Sequence, residues 1–252
     1  MLSGKKIIVA GGGGRIGWKI VLEIIKQGGK VVAIDQQFSD HIYNEIVNDA
    51  RLKSDVELAR VDVCSVNEVR EFFQNLSAAD GFVNCSYPRG RNYGRDFLNV
   101  AVEDFNQTLS MHLGSAVSLT QECVRYFNRD QNWFSVVNFS SIYGVVAPRF
   151  EIYSGTTMTT PVEYSLMKSA IQQLNKYVSA YVKNSKFRIN TIAPGGILDG
   201  QPESFLEGYK KNTRGAGLLA SEDVVGAVSF LLSDQSRFIS GQNIIVDDGF
   251  SL

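Results

Sequence analysis

Cysteine is scarce in this 252-residue chain: Cys64, Cys85 and Cys123 lie far apart and are odd in number. Such a set builds no disulfide framework and fits a reducing compartment where thiols stay free. Histidine is scarcer, with His41 and His112 alone, so a histidine-built metal centre has little to draw on. There is no surplus of either charge: 25 Lys and Arg face 26 Asp and Glu, which gives no electrostatic footprint for nucleic acid. No apolar run approaches the roughly 20 residues that a membrane span needs. The opening stretch Ile7 to Ala10 is cut off by glycines too early for a signal-peptide core. A soluble cytoplasmic protein is expected, with no metal and no nucleic-acid or membrane partner. The hydrophobic share of 44% is close to the globular average, enough to bury a core that offsets the entropy of ordering, so the chain is read as folded. Its length suits one domain spanning residues 1–252.

Short β-branched runs alternate with amphipathic stretches to the end of the chain. The runs begin at Lys6, Lys30, Glu57, Gly81, Ser135, Arg188 and Asn243, and they are continuously apolar, as strands covered on both faces are. Helices are expected near 16–27, 66–76, 102–128, 163–184 and 221–232, the last capped by Ser221. This alternation predicts an α/β fold, a single doubly wound Rossmann domain with a seven-stranded parallel sheet and helices on both faces. Three segments, near 87–99, 145–162 and 197–215, are expected to be substrate loops, since long loops in compact α/β domains are usually functional.

Gly11, Gly14 and Gly17 follow the first strand at three-residue intervals and open the first helix. That spacing permits a tight turn, close backbone approach to a pyrophosphate and close packing of helix on sheet, with Arg15 and Ile16 in the same loop. A glycine run also fits a plain turn. The second strand, however, ends in Asp35, where an acid is expected to hold ribose hydroxyls, although strand-end acids are also often merely solvated. Asp35 repels a ribose 2′-phosphate and Gln36 and Gln37 supply no cation for one, which favours NAD over NADP. Arg15 is the one residue placed to argue the other way.

Tyr164 and Lys168 stand four apart on a predicted helix and so share a face. A tyrosine with a pKa of about 10 is a poor base at neutral pH, and a neighbouring ammonium favours its phenolate. An ordinary surface pair has the same spacing; the position after the fifth strand, beside the expected cofactor site, favours chemistry. Ser140 and Ser141 close that strand, where hydroxyls either face ligand or simply end the strand.

These elements, in this order, resemble the short-chain dehydrogenase/reductase family over essentially the whole chain. The resemblance implies that Tyr164 is the catalytic acid/base, that Lys168 lowers its pKa and binds the nicotinamide ribose, and that Ser141 holds the reacting oxygen. It also implies cofactor contacts at Asp62 and Val63 (adenine), at Asn84, and at Pro194, Gly195 and Ile197 beside nicotinamide. The sequence departs from the family pattern in four places. Arg15 stands where a glycine is usual, so the loop is closer to that of the extended branch. Asn84-Cys-Ser-Tyr87 replaces Asn-Asn-Ala-Gly. His112 aligns with an Asn of the family's proton relay, a role that His can also fill. Ser141 and Tyr164 lie 23 residues apart, a longer separation than the family's usual one.

The inserted segment 145–162 and the run Tyr87 to Arg95 resemble oxidoreductases of flagellin modification and surface-polysaccharide pathways. Arg89, Arg91, Arg95 and Arg149 lie in these two loops, and Arg forks suit phosphate. Thr156, Thr157, Thr159 and Thr160 suit a polyol. The expected substrate is a phosphorylated or nucleotide-activated sugar, oxidised or reduced at a secondary alcohol or ketone. The arginines are equally compatible with ion pairs to Asp96, Glu151 and Glu163. An NAD-using epimerase or dehydratase and a non-catalytic dinucleotide-binding partner subunit are the alternatives. The resemblance further implies a homodimer or homotetramer packed through the long third and fourth of these expected helices, 102–128 and 163–184, the latter carrying Tyr177, Val178, Tyr181 and Val182.

Overall fold

A computed structural model describes every residue from Met1 to Leu252. Seven strands, β1 (Lys6–Ala10), β2 (Lys30–Asp35), β3 (Val56–Arg60), β4 (Gly81–Asn84), β5 (Phe134–Phe139), β6 (Phe187–Pro194) and β7 (Asn243–Val246), make one parallel sheet. Their order is β3-β2-β1-β4-β5-β6-β7. The continuous apolar runs are explained by the period of two along a strand. Ile7, Val9, Val31 and Ala33 point into one core, while Ile8, Ala10, Val32 and Ile34 point into the other. The first core is closed by α1 (Arg15–Lys26) and α8 (Val225–Leu232) through Trp18, Ile24, Val228 and Leu231. The second is closed by α4 (Val66–Asn75), α5 (Val102–Asp130) and α6 (Val162–Val182) through Phe73, Leu119, Phe127 and Val178. Both cores are needed, because a strand buried on one face only would not read as an unbroken apolar run.

Three helices lie where the sequence showed none: α2 (Asp40–Asn48), α3 (Ala50–Asp55) and α7 (Glu203–Lys210). Each is short, and α2 and α3 bury one residue apiece, Ile42 and Leu52, too little apolar stripe to register as a period. The expected start at Ser221 is also displaced. A 3-10 turn covers Ser221–Val224, and Asp223 rather than Ser221 closes it, its carboxylate accepting the Ala220 N–H at 2.7 Å. Segment 87–99 has no regular element, and two short 3-10 turns, Ile142–Gly144 and Phe150–Tyr153, flank the start of the insertion. No helix is long and apolar enough to cross a membrane.

The chain leaves β1 in one direction to build β2 and β3, and in the other to build β4 to β7. The crevice therefore opens between the carboxyl ends of β1 and β4, the place where doubly wound sheets bind ligands.

Candidate active site

The crevice floor is backbone. Gly11 adopts φ +74°, and a Cβ there would lie 2.7 Å from the Ser86 nitrogen, so the loops after β1 and β4 touch without side chains between them. A Cβ on Gly17 would fall on the Gly11 carbonyl oxygen, which requires glycine where α1 begins. Gly14 is the N-cap of α1 and supplies no side-chain cap, so the first N–H groups of the helix remain directed at the crevice. Ile16 packs against the core and orients that turn. Asp35 ends β2 with one carboxylate oxygen accepting the Gly13 N–H at 3.0 Å and the other accepting the Gln36 N–H at 2.8 Å. The Val61 N–H donates to the Asp35 carbonyl at 2.9 Å, which brings Asp62 and the buried Val63 to the same rim. Asn84 is buried and its side-chain oxygen accepts from the Ser86 N–H and hydroxyl, so it organises the β4 loop.

Arg15 turns away from Asp35. Its guanidinium donates to the Leu198 carbonyl at 2.9 Å and pairs with Asp199, strapping the glycine loop to segment 197–215. Beyond β6, the Gly195 N–H donates to the Val246 carbonyl and Ile197 pairs with Leu219.

The two adjacent serines have separate jobs. Ser140 donates to the Lys168 carbonyl at 2.6 Å and accepts from Gln172, which fastens β5 to α6. Ser141 caps the following 3-10 turn and lies beside Tyr164, where its hydroxyl pulls the phenol pKa down. Burial pulls the other way and prevails, so Tyr164 sits above the ordinary tyrosine value. The Lys168 ammonium donates to the Phe139 carbonyl at 3.0 Å and stands 5.7 Å from the Tyr164 ring centroid. Burial lowers the Lys168 pKa from 10.5 to about 8, with the Cys85 thiol acting weakly in the opposite direction. Burial and then the Lys168 charge lower His112 to about 3, against an opposing pull from the Pro88 backbone. It is therefore a neutral imidazole near neutral pH.

Aromatic walls that the sequence reading missed enclose this group. The Tyr87 ring stands 5.8 Å from the Tyr164 ring, 5.1 Å from the His112 ring and 5.2 Å from the Lys168 ammonium. Tyr87 and Tyr93 join hydroxyls, with the Arg89 guanidinium over both rings. Gln172 was also missed, although it continues the Tyr164, Lys168 stripe by four more residues. Of the arginines, Arg89, Arg91 and Arg95 are exposed, and none of the four pairs with Asp96, Glu151 or Glu163. Arg149 is engaged in the protein: it donates to Asn212 at 2.8 Å and to the Phe250 carbonyl at 3.2 Å. That makes it a brace of the insertion rather than a free anion ligand. Thr156 likewise serves its own turn, donating to the Tyr153 carbonyl.

A family model described as enoyl-(acyl carrier protein) reductase matches residues 13–251. Flagellin modification protein A of Campylobacter coli is 38% identical over 259 residues, with both chains covered in full. The chain belongs to the short-chain dehydrogenase/reductase family. The likeness to that flagellin modification protein runs the whole length of both chains. The 7alpha-hydroxysteroid dehydrogenase of Bacteroides fragilis is 28% identical, covering 98% of this chain and 95% of its own. A solved short-chain dehydrogenase from Leptospira borgpetersenii, with bound NAD+, superposes with a TM-score of 0.88 at 27% identity, covering 100% of this chain and 94% of that one. The protein is thus an oxidoreductase of this family, and its seven-stranded sheet is the family's fold.

Proposed function

We propose that this oxidoreductase uses NAD and acts on a secondary alcohol or ketone of a sugar derivative, phosphorylated or nucleotide-activated, in flagellin or surface-glycan biosynthesis. The observation that carries the reading is the convergence of Ser141, Tyr164 and Lys168 on one crevice whose floor is glycine backbone. The cradle suits a pyrophosphate on Gly11, Gly14, Arg15, Ile16 and Gly17, an adenosine half on Asp35, Asp62 and Val63, and a nicotinamide half on Asn84, Tyr164, Lys168, Pro194, Gly195 and Ile197. Its fit rests on positions where any Cβ would fill the space. NAD, when bound, supplies the hydride acceptor or donor and a positive charge near the phenol.

In the oxidising direction the Ser141 hydroxyl holds the substrate oxygen and Tyr164 takes its proton. Lys168 sits behind the pair and His112 lies next to Tyr87 in the same cluster, as a neutral group through which the proton can pass on. The preference for NAD over NADP rests on the negative charge of Asp35 at the end of β2, which repels a 2′-phosphate, and on Arg15 being paired with Asp199. Arg89, Arg91 and Arg95 are the candidates for substrate phosphate, Arg149 being engaged. A homodimer or homotetramer is proposed to form over α6, where Tyr177 and Tyr181 stack on each other and remain mostly exposed while Val178 turns inward.

The test is NADH formation from NAD+ with a panel of sugar phosphates and nucleotide sugars. Net NADH production supports the reading, whereas co-purified NAD+ that never exchanges, with product formed at unchanged redox state, supports an epimerase or dehydratase instead.

A further inference from the structure

The turn after β6 is held from outside by a residue that no motif indicates. Tyr209, on α7, is 2% exposed, and its hydroxyl accepts the Gly196 N–H at 2.6 Å. A Cβ on Gly195 would lie 2.8 Å from that hydroxyl and 3.0 Å from Asp247, so the turn is pressed between α7 and the chain that follows β7. The Tyr209 ring stacks on Phe250 with centroids 4.4 Å apart. Phe250 also meets the Arg149 guanidinium, 5.1 Å from the ring centroid and donating to the Phe250 carbonyl. A continuous chain of contacts therefore leads from the insertion, through two stacked rings, to a single backbone N–H in the Pro194 to Gly196 turn.

We propose that Tyr209 is a positioning residue for the nicotinamide half of the cofactor, its hydroxyl setting the turn by accepting the Gly196 N–H, and that the Arg149–Phe250 contact ties this setting to the inserted segment. This rests on the cofactor reading above. A buried N–H left without its acceptor tends to pull the backbone toward another partner, so loss of one hydroxyl shifts the turn even where the ring remains packed. Tyr209 touches neither the glycine loop nor Asp35 in the contacts above, so the phosphate and adenosine half should not register the change.

The experiment compares NAD+ with ADP-ribose, which lacks only the nicotinamide, by calorimetric titration of wild type, Tyr209→Phe and Arg149→Met, with melting curves alongside. Tyr209→Phe is expected to weaken NAD+ roughly tenfold while ADP-ribose affinity stays within about twofold. Arg149→Met, which keeps the hydroxyl, is expected to show the same selectivity at smaller size. Equal losses for both ligands, or no loss for either, would overturn the positioning role of Tyr209 and leave the cofactor reading intact. A selective Tyr209→Phe beside an Arg149→Met that changes nothing overturns the tie to the insertion. A wild-type protein that binds neither ligand overturns the cofactor reading and this inference together.

Discussion

The Lys168 ammonium donates to the Phe139 carbonyl oxygen at 3.0 Å, joining the Tyr164 face of α6 to the last residue of β5. A cation that reaches a single backbone oxygen in a buried site is poorly compensated for the water it has lost, which is why its pKa falls to about 8. The folded chain then holds fewer protons than the unfolded one between about pH 8 and pH 10.5, so this group adds stability as pH rises through that window. The full effect is on the order of 3 kcal/mol. Urea unfolding of wild type and Lys168→Met without NAD is expected to show the wild type gaining on the variant from pH 7.5 to pH 10. A constant difference between them would contradict the assignment.

Tyr164→Phe removes one hydroxyl from a half-buried ring and leaves the glycine cradle untouched. Turnover is expected to fall by about 10²- to 10⁴-fold, the size of a lost proton transfer, while NADH titrations followed by fluorescence give nearly wild-type affinity. Wild-type rate on the true substrate would remove Tyr164 from the chemistry.

Asp35 holds its carboxylate at the rim with two backbone N–H groups and forms no ion pair, Arg60 being its register partner on β3. Replacing the charge and adding one, Asp35→Ser with Gln36→Arg, is expected to raise the NADP to NAD preference by roughly 10- to 100-fold, as charge-assisted bonds to phosphate do. The ratio of kcat/KM for the two cofactors measures it.

Gly17→Ala places a methyl on the Gly11 carbonyl oxygen. Backbone must move on both sides, and the expected cost is about 1–3 kcal/mol of stability together with loss of dinucleotide binding. Melting temperature and NAD+ titration read the two effects separately; a variant that melts and binds as wild type would mean that the turn is softer than its packing indicates.

His112 is neutral well below pH 5 and stays so to the alkaline limit. The pH profile of kcat is therefore expected to show no inflection between pH 5 and pH 8 that His112→Asn abolishes. If such an inflection exists and vanishes in the variant, His112 works as a charged relay.

The sheet was legible because the inner strands bury both faces, so Ile7 to Ala10 and Val136 to Val137 are apolar without interruption. Tyr164 and Lys168 were legible because a helical repeat of four is local. Gln172 obeys the same repeat, but an amide carries less chemical signal than a phenol and an amine. Tyr87, Tyr93 and Tyr209 were hidden for another reason: their roles depend on loops that meet only when the sheet is assembled. Arg149 was read as a ligand for substrate because its partners, Asn212 and the Phe250 carbonyl, lie 63 and 101 residues away. A carbonyl oxygen has no letter of its own in a sequence, so no spacing could have revealed it.

The three thiols have a practical consequence. Burial raises Cys64, Cys85 and Cys123 above the ordinary thiol value, and Cys123 is fully enclosed. At neutral pH almost none of them is thiolate, the form that alkylating reagents attack. The native chain is thus a quiet background for site-directed labelling: a single cysteine introduced at exposed Lys53 or Glu71 would carry a fluorophore or spin label without first stripping the protein of its own.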